Sequence, residues 1–520
     1  MLRDVVRIYL DTLTEREFDG PLLALLDARG FKDVHFIHGA FEFGKDVLAK
    51  RVDPETGEVH QYLIQSKAGD IGMPEWRGVR PQLDECQYNT IGHPSFDPNL
   101  PRVAVLVTTG RLKGAAPADA AEYRKAAAAR GDALVEIWEN SDLIDWMLDD
   151  PTVGVAGGAL EVDLLKMVTS ILDKGVNDRR IESYGRRWLA KEGSSLRATI
   201  ESAILVNTLL RVRRLDLAMS VALQLVRCAE QDALAPEGLQ QAARRLVCSL
   251  ASQVRDQMDP LLDDPLDVAR YLRSEPALLT YPVICCRAAE AVALGLAVAR
   301  EQGDSAGVEA FQRTLRLLAQ LPGAARPVSD LFASSVIATT LLLSTYDHDG
   351  AVEYLRRVAK WVLDRHDEAM SGLGLAGLGE DEEVTAARLL GGSLSSTTLD
   401  RRPASYLATA VLDLALFLDA RALFEAVRES IAALRIVPEA TAADEATAQW
   451  TRGGEQVWPV PRVDFLPFEA QVEAERAQPP VDAVTALLLT AACRSRHYPG
   501  GWAGLATAQS LPASVNEAPS

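Results

Sequence analysis

Three polar residues raise the first chemical question: Asp46, Gln65 and Lys67, within GAFEFGKDVLAKRVDPETGEVHQYLIQSKAGDI. Gln65 and Lys67 lie two apart after the apolar lead-in VHQYLI, so on a strand both side chains leave the same face. DPETGE is a strong turn signal between KDVLAKRV and VHQYLIQSKA, which read as a hairpin. A turn symmetric about DPETGE sets Asp46 directly opposite Gln65. One face then offers a carboxylate, an amide oxygen and an ammonium. Mg2+ takes oxygen ligands, and phosphodiester hydrolysis needs an activated water and stabilisation of charge growing on the phosphate. On this reading Asp46 is the principal metal ligand, and Gln65 offers its carbonyl oxygen or positions the metal's water. Lys67 orients the attacking water and stabilises the transition state. The backbone carbonyl of Ser66 or Ala68 could complete the shell.

The elements that must hold these residues alternate up to about Asp150. Arg16 to Ala28 has helical spacing, with Phe18, Leu22, Leu25 and Leu26 on one face, and Gly20-Pro21 suggests a start near Pro21. DVHFIHG reads as a short strand before the hairpin. A helix over Trp76 to Tyr88 follows, then a buried strand, RVAVLVTTG, and a helix over Ala118 to Arg130. The strand ALVEIWE and a helix over Asp142 to Leu148, capped by Asn140-Ser141, close the region. Such alternation predicts an α/β domain: a mixed sheet covered by helices on both faces.

This order of elements and motifs resembles the restriction-endonuclease-like, or PD-(D/E)xK, superfamily over roughly residues 1–150, and in particular its Mrr-like branch. In that branch an Asp is followed on the next strand by Gln-x-Lys, here Asp46 and Gln65-Ser66-Lys67. FDGPLLALLDARGF is similar to the family's opening helix and Gly-aromatic end, with Asp19 where the helix glutamate stands. Glu15 or Glu17 takes that place if the helix begins earlier. Glu42, in GAFEFGKDV, could add a carboxylate if its strand curves toward Asp46, and Lys45 could contact a phosphate. Gln82, in RPQLDEC, stands where a helix of the family often carries Gln. The resemblance implies a Mg2+-dependent DNA endonuclease, with Mn2+ as a substitute, acting in restriction of foreign DNA. A nuclease-like fold that binds nucleic acid or a protein without cutting is the competing expectation, because Gln65 is neutral. RNA as substrate and a purely regulatory scaffold are the others.

Beyond Asp150 the text becomes Leu-, Ala-, Val- and Arg-rich at helical spacing. It predicts an all-helical region over 151–375, stacked as antiparallel hairpins for targeting, sensing, partner binding or homo-oligomer assembly. Residues 376–400 read as a flexible loop or insertion, and 401–508 as a helical C-terminal region interrupted by an irregular stretch, 439–463. Residues 509–520 read as a disordered tail. The segment Asp347-His348-Asp349 reads as a polar helix break.

A formal net charge of -19 argues against a protein that coats nucleic acid through bulk electrostatics. Arg77, Arg80, Arg111 and Lys113 are scattered charges that could meet a DNA backbone. The six cysteines follow no metal-ligand spacing and read as reduced core thiols of a cytoplasmic protein. Apolar runs look too short and too often interrupted to span a membrane.

Overall fold

A computed structural model of the chain describes residues 2–37, 46–54, 56–88, 93–149, 162–189, 195–262, 277–390, 399–440, 450, 460–461, 465–473 and 482–493. Two compact units divide it. Met1–Val176, Ser195–Arg213 and Leu234–Ala242 make the first, and Asn177–Ser194, Arg214–Ala233 and Ala243–Ser520 the second.

The first unit opens with α1 (Leu2–Thr12) and α2 (Glu15–Ala28). A five-stranded sheet follows in the order β1 (Lys32–Phe36), β2 (Val47–Val52), β3 (Val59–Lys67), β4 (Arg102–Thr108) and β5 (Leu134–Trp138). β1, β2 and β3 pair antiparallel, because a short hairpin joins β2 to β3. β3, β4 and β5 pair parallel, because the crossovers carry α3 (Met73–Tyr88) and α4 (Ala116–Arg130). α5 (Asn140–Asp149) ends the α/β portion. Mixed pairing under helices on both faces agrees with the expected layer arrangement.

The two faces have different cores. On one, Leu48, Leu63, Ala104 and Leu106 meet Trp76, Val79, Leu83 and Cys86 of α3 and Ala116, Ala120, Tyr123 and Ala127 of α4. The polar tips buried here are satisfied: Trp76 Nε1 donates to Asp119 at 2.7 Å and the Tyr123 hydroxyl to Asp84 at 2.7 Å. On the other face Phe31, Tyr62 and Trp138 pack edge to face or tilted, with Trp146 of α5 against Trp138.

Two local expectations need correction. α2 starts at Glu15, not near Pro21, because Thr14 and Glu17 form a capping box. Thr14 N–H donates to Glu17 Oε2 at 2.9 Å, and Glu17 N–H to Thr14 Oγ1 at 3.4 Å. Pro21 therefore lies inside the helix and is buried. Asn140 does not cap α5: its Nδ2 donates to the Thr109 carbonyl at 2.7 Å, and Asp142 receives the Glu139 N–H at 2.8 Å instead. Two later helices complete this unit. α7 (Ser195–Arg211) packs on α1 and on α6 (Val162–Leu172). Asn207 Nδ2 donates to the Leu148 carbonyl at 2.9 Å and Arg211 to that of Asp149 at 2.6 Å.

The second unit is largely helical, and its helices Ala333–Ser344 and Tyr406–Phe417 are apolar and buried nearly all round. The stretch 376–400 is not simply a loop. Leu375, Ala376 and Leu378 are buried, Ala376 bridges to Ser329, and Glu382–Leu389 forms a helix capped by Asp381. Just ahead of this stretch Gly374 is required: its φ is +77° and a Cβ would lie 2.2 Å from the Arg402 carbonyl. Residues 391–398, most of 439–463 and the tail 509–520 lie outside the described residues. Asp347 is a helix cap, accepting from Gly350 N–H at 3.0 Å at the start of the helix His348–His366.

The expectation of no span-length apolar helix also needs correction. Among the described residues one helix, Leu279–Glu301, is long and apolar enough to cross a membrane, yet 83% of its most apolar window is buried inside the protein. A buried core helix passes the same test of length and composition. No disulfide joins the six cysteines.

Candidate functional site

The hairpin register decides the site. Val47 pairs with Ile64 and Val52 with Val59, and Asp46 lies just before the last pair of the ladder, beside Gln65. Asp46 N–H donates to the Ile64 carbonyl at 2.9 Å, which holds Asp46 against the end of the ladder. Gln65 Nε2 donates to Asp46 Oδ2 at 2.6 Å, and the Ser66 backbone N–H donates to the same oxygen at 2.7 Å. Charge-assisted bonds of this length hold the carboxylate in one orientation.

Gln65 is only 3% exposed, and its Oε1 has no hydrogen-bond partner among the described residues. The amide cannot turn to relieve this, since a carboxylate offers its nitrogen an acceptor and would repel its oxygen. A buried, unpartnered acceptor costs about 1–3 kcal/mol. It therefore marks a place where a donor or a cation would be welcome. Gln82 of α3 carries a second buried, unpartnered amide oxygen. α3 covers the sheet face onto which Leu63, Gln65 and Lys67 project.

Lys67 ends β3, and its Nζ lies 3.0 Å from Glu15 Oε1, with the lysine side chain 26% exposed. α2 therefore brings the Glu15 carboxylate to the lysine, and Asp19 is half-buried one turn further along the same helix. The sequence did carry the signal: Thr-x-x-Glu at 14–17 moves the helix start forward and puts Glu15 in its first turn. Glu17, the other alternative, is engaged by its own cap, whose Thr14 backbone and hydroxyl lower its pKa. Near α1 and α2, burial, with Glu17 adding to it, pushes the Tyr9 phenol up to about 12.

What anchors the Lys67 end of β3 was not foreseen. Thr109 N–H donates to the Lys67 carbonyl at 3.3 Å, Gly69 N–H to Thr109 Oγ1 at 2.8 Å, and Thr108 Oγ1 to the Gly69 carbonyl at 2.5 Å. Gly110 allows this closeness, since a Cβ there would lie 2.3 Å from the carbonyl carbon of Gly69. Asn140 then ties Thr109 and Gly110 to α5, and Leu112 N–H donates to Glu139 Oε1 at 2.7 Å. The ends of three parallel strands are thus joined into one block behind Lys67. Compared with known proteins, the chain matches no family model, no curated protein and no solved structure. The geometry must therefore speak for itself.

Of the remaining candidates, Glu42 and Lys45 lie outside the described residues. Arg80 is held by Asp119 and stacks over Tyr123, and Lys113 pairs with Asp70, so these charges are partly neutralised locally. Lys113 and Arg111 lower the Asp70 pKa through hydrogen bonds and charge. Among the described residues no group of three His, Cys, Asp or Glu side chains is arranged to hold a metal ion. The donor set at the site is instead one carboxylate and one amide oxygen. A hard cation accepts both types, though two ligands alone leave most of its shell to water or substrate.

Proposed function

We propose that the N-terminal α/β region is a restriction-endonuclease-like nuclease domain of the Mrr-like type and that the protein is a Mg2+-dependent DNA endonuclease. The observation that carries this reading is the Asp46–Gln65 pair, with its buried, unpartnered Gln65 Oε1 and with Lys67 on the same face. The donor types suit Mg2+ or Mn2+: Asp46 and Gln65 Oε1 would hold the ion, which supplies Lewis-acid stabilisation of a phosphate.

The chain's own groups then have distinct tasks. Gln65 Nε2 and Ser66 N–H fix the Asp46 carboxylate, so no reorientation is needed when a cation or substrate arrives. Glu15 holds the Lys67 ammonium at the end of β3, where it can donate to a phosphate oxygen or orient a water. The clamp of Thr108, Thr109 and Gly110 limits movement of that strand end. In this reading the enzyme is cytoplasmic and restricts foreign DNA, with the helical region serving targeting, sensing, partner binding or homo-oligomer assembly.

A second reading has one specific observation in its favour. Only one carboxylate, Asp46, joins Gln65 among the described residues, which suits a nuclease-like domain that binds nucleic acid or a protein without cutting. Incubation of the full chain with supercoiled plasmid separates the two, using Mg2+ or Mn2+ against a chelator. Metal-dependent cutting, abolished by Asp46→Ala and by Lys67→Ala, supports the nuclease. No cutting of methylated, unmethylated or single-stranded DNA, or of RNA, rejects it in favour of the binding protein.

A further inference from the structure

The sheet face that carries Asp46 and Gln65 carries a second polar cluster. His35 of β1 pairs with Leu48 of β2, and Ile37 N–H donates to the Asp46 carbonyl at 2.8 Å. Side chains alternate along a strand and paired residues share a face, so His35, Leu48 and Asp46 project on the same side. His35 and Asp46 are then diagonal neighbours, about 7–8 Å apart.

The loop between α3 and β4 brings a second imidazole to this row. Ser95 touches both rings: its hydroxyl is hydrogen-bonded to His35 Nε2 at 2.9 Å, and its backbone N–H donates to His93 Nδ1 at 3.2 Å. The ring centres lie 4.7 Å apart, with the planes tilted by 45°. The next turn of the loop is pinned to β3, because Asp97 N–H donates to Gln61 Oε1 at 3.0 Å and Gln61 Nε2 to the Asp97 carbonyl at 3.4 Å.

These bonds decide where His93 carries its proton. A backbone N–H can only donate, so Nδ1 must accept, and the neutral ring bears its hydrogen on Nε2. His93 Nε2 bonds no group among the described residues, and the ring is only half-buried, so an incoming ligand can reach it. The result is an N–H donor of fixed tautomer, held one diagonal step from the Asp46 carboxylate.

Resting on the nuclease reading, we propose that His93 donates to a backbone phosphate of the DNA strand about two nucleotides from the one cleaved, since phosphates recur about every 3.4 Å of axis along a strand and the diagonal from Asp46 spans about 7–8 Å. A phosphodiester oxygen only accepts, and its charge strengthens a bond to a neutral donor. Phosphate contacts of this kind set the register of a duplex on its protein without reading its sequence. Ser95 and His35 are positioning residues, which act on the DNA only through His93.

The test uses the full chain and a short DNA duplex, with binding measured in chelator and cleavage in Mg2+. His93→Gln and His93→Asn separate the two ring nitrogens. A glutamine amide donor reaches about as far as Nε2, whereas an asparagine oxygen reaches only as far as Nδ1 and can still accept from Ser95. His93→Asn should weaken binding by about tenfold and raise KM by a similar factor, with kcat within about twofold, while His93→Gln should recover most of the loss. A methylphosphonate, which removes the charge of one phosphate, should weaken binding at one position away from the scissile bond, and should add nothing there in His93→Asn. Melting temperature checks folding in each variant. Equal losses in the two variants, rescue by Asn and not by Gln, or a methylphosphonate effect unchanged in His93→Asn overturns the proposal, because His93 then only latches its loop. Unaltered binding and KM in His93→Asn overturn it too and leave the nuclease reading standing. A chain that neither binds nor cuts DNA overturns both.

Discussion

Gln65 donates to Asp46 across the β2–β3 ladder at 2.6 Å, and the same carboxylate oxygen receives the Ser66 backbone N–H. The amide nitrogen is thereby consumed, and its oxygen is left buried without a donor. A neutral residue at this position therefore has a structural role, since it lets a half-buried carboxylate persist without a cation. A second carboxylate in its place would not.

Gln65→Glu tests that relationship. In chelator it replaces a donor with a like charge beside Asp46, and the loss should be about 1–3 kcal/mol of stability. Added Mg2+ should restore much of it by drawing the two carboxylates together. Thermal unfolding with and without the ion measures both effects. A variant as stable as the unaltered protein in chelator would show that the Gln65–Asp46 bond contributes little.

Glu15 and Asp19 can be separated by Glu15→Gln and Asp19→Asn. The Glu15–Lys67 pair is partly exposed, so its loss should change stability by less than about 1 kcal/mol. If Lys67 acts on phosphate, Glu15→Gln should nevertheless change the cleavage rate by about tenfold or more, in line with a displaced charged group, whereas Asp19→Asn should not. Equal effects of the two substitutions would remove Glu15 from the site.

Gly110→Ala should be among the most damaging single changes in the first unit. Its Cβ would meet Gly69 main-chain atoms at 2.3 and 2.4 Å, and backbone cannot swing aside as a side chain can. A loss of about 3 kcal/mol is expected from overpacking of this kind. Chemical denaturation followed by tryptophan emission would measure it.

His366 should make the helical unit sensitive to acid. It is fully buried, and its Nδ1 is bonded to the Val362 carbonyl at 2.8 Å. Burial, aided by the neighbouring Arg402 charge, lowers its pKa, against the raising effects of backbone hydrogen bonds and Asp330. The unfolded chain therefore takes up this proton first, near pH ~6.5, so stability is complete above that value and falls as pH drops toward the folded pKa. His366→Gln should flatten the stability profile in that window. An unchanged slope would assign the acid sensitivity to other groups.

Much of the first unit was legible in the sequence because its signals are local. Alternation over VHQYLIQSK, a turn centred on DPETGE and the apolar run RVAVLVT determine the strands. The even spacing of the hairpin then pairs Val47 with Ile64 and brings Asp46 beside Gln65, since a one-residue slip would turn every core side chain outward. The Thr14–Glu17 capping box was equally local, but Gly20-Pro21 competed with it, and the box prevailed.

Other features belong to tertiary structure alone. Nothing in VTTG states that its two threonines and glycine will grip the loop after Lys67, because that contact joins residues about forty apart along the chain through crossovers whose geometry the sheet decides. The change of text at Asp150 gave no sign that Ser195–Arg211 would pack on the first helix. Residues 376–389 read as a loop because of their glycines, yet Gly377 makes room for the Arg402 guanidinium, and Ala376 and Leu378 enter the core. Local propensity and spacing were enough to place strands and pair their side chains. Which distant backbone closes over them depends on burial and hydrogen-bond satisfaction across the whole fold, which no single stretch of sequence contains.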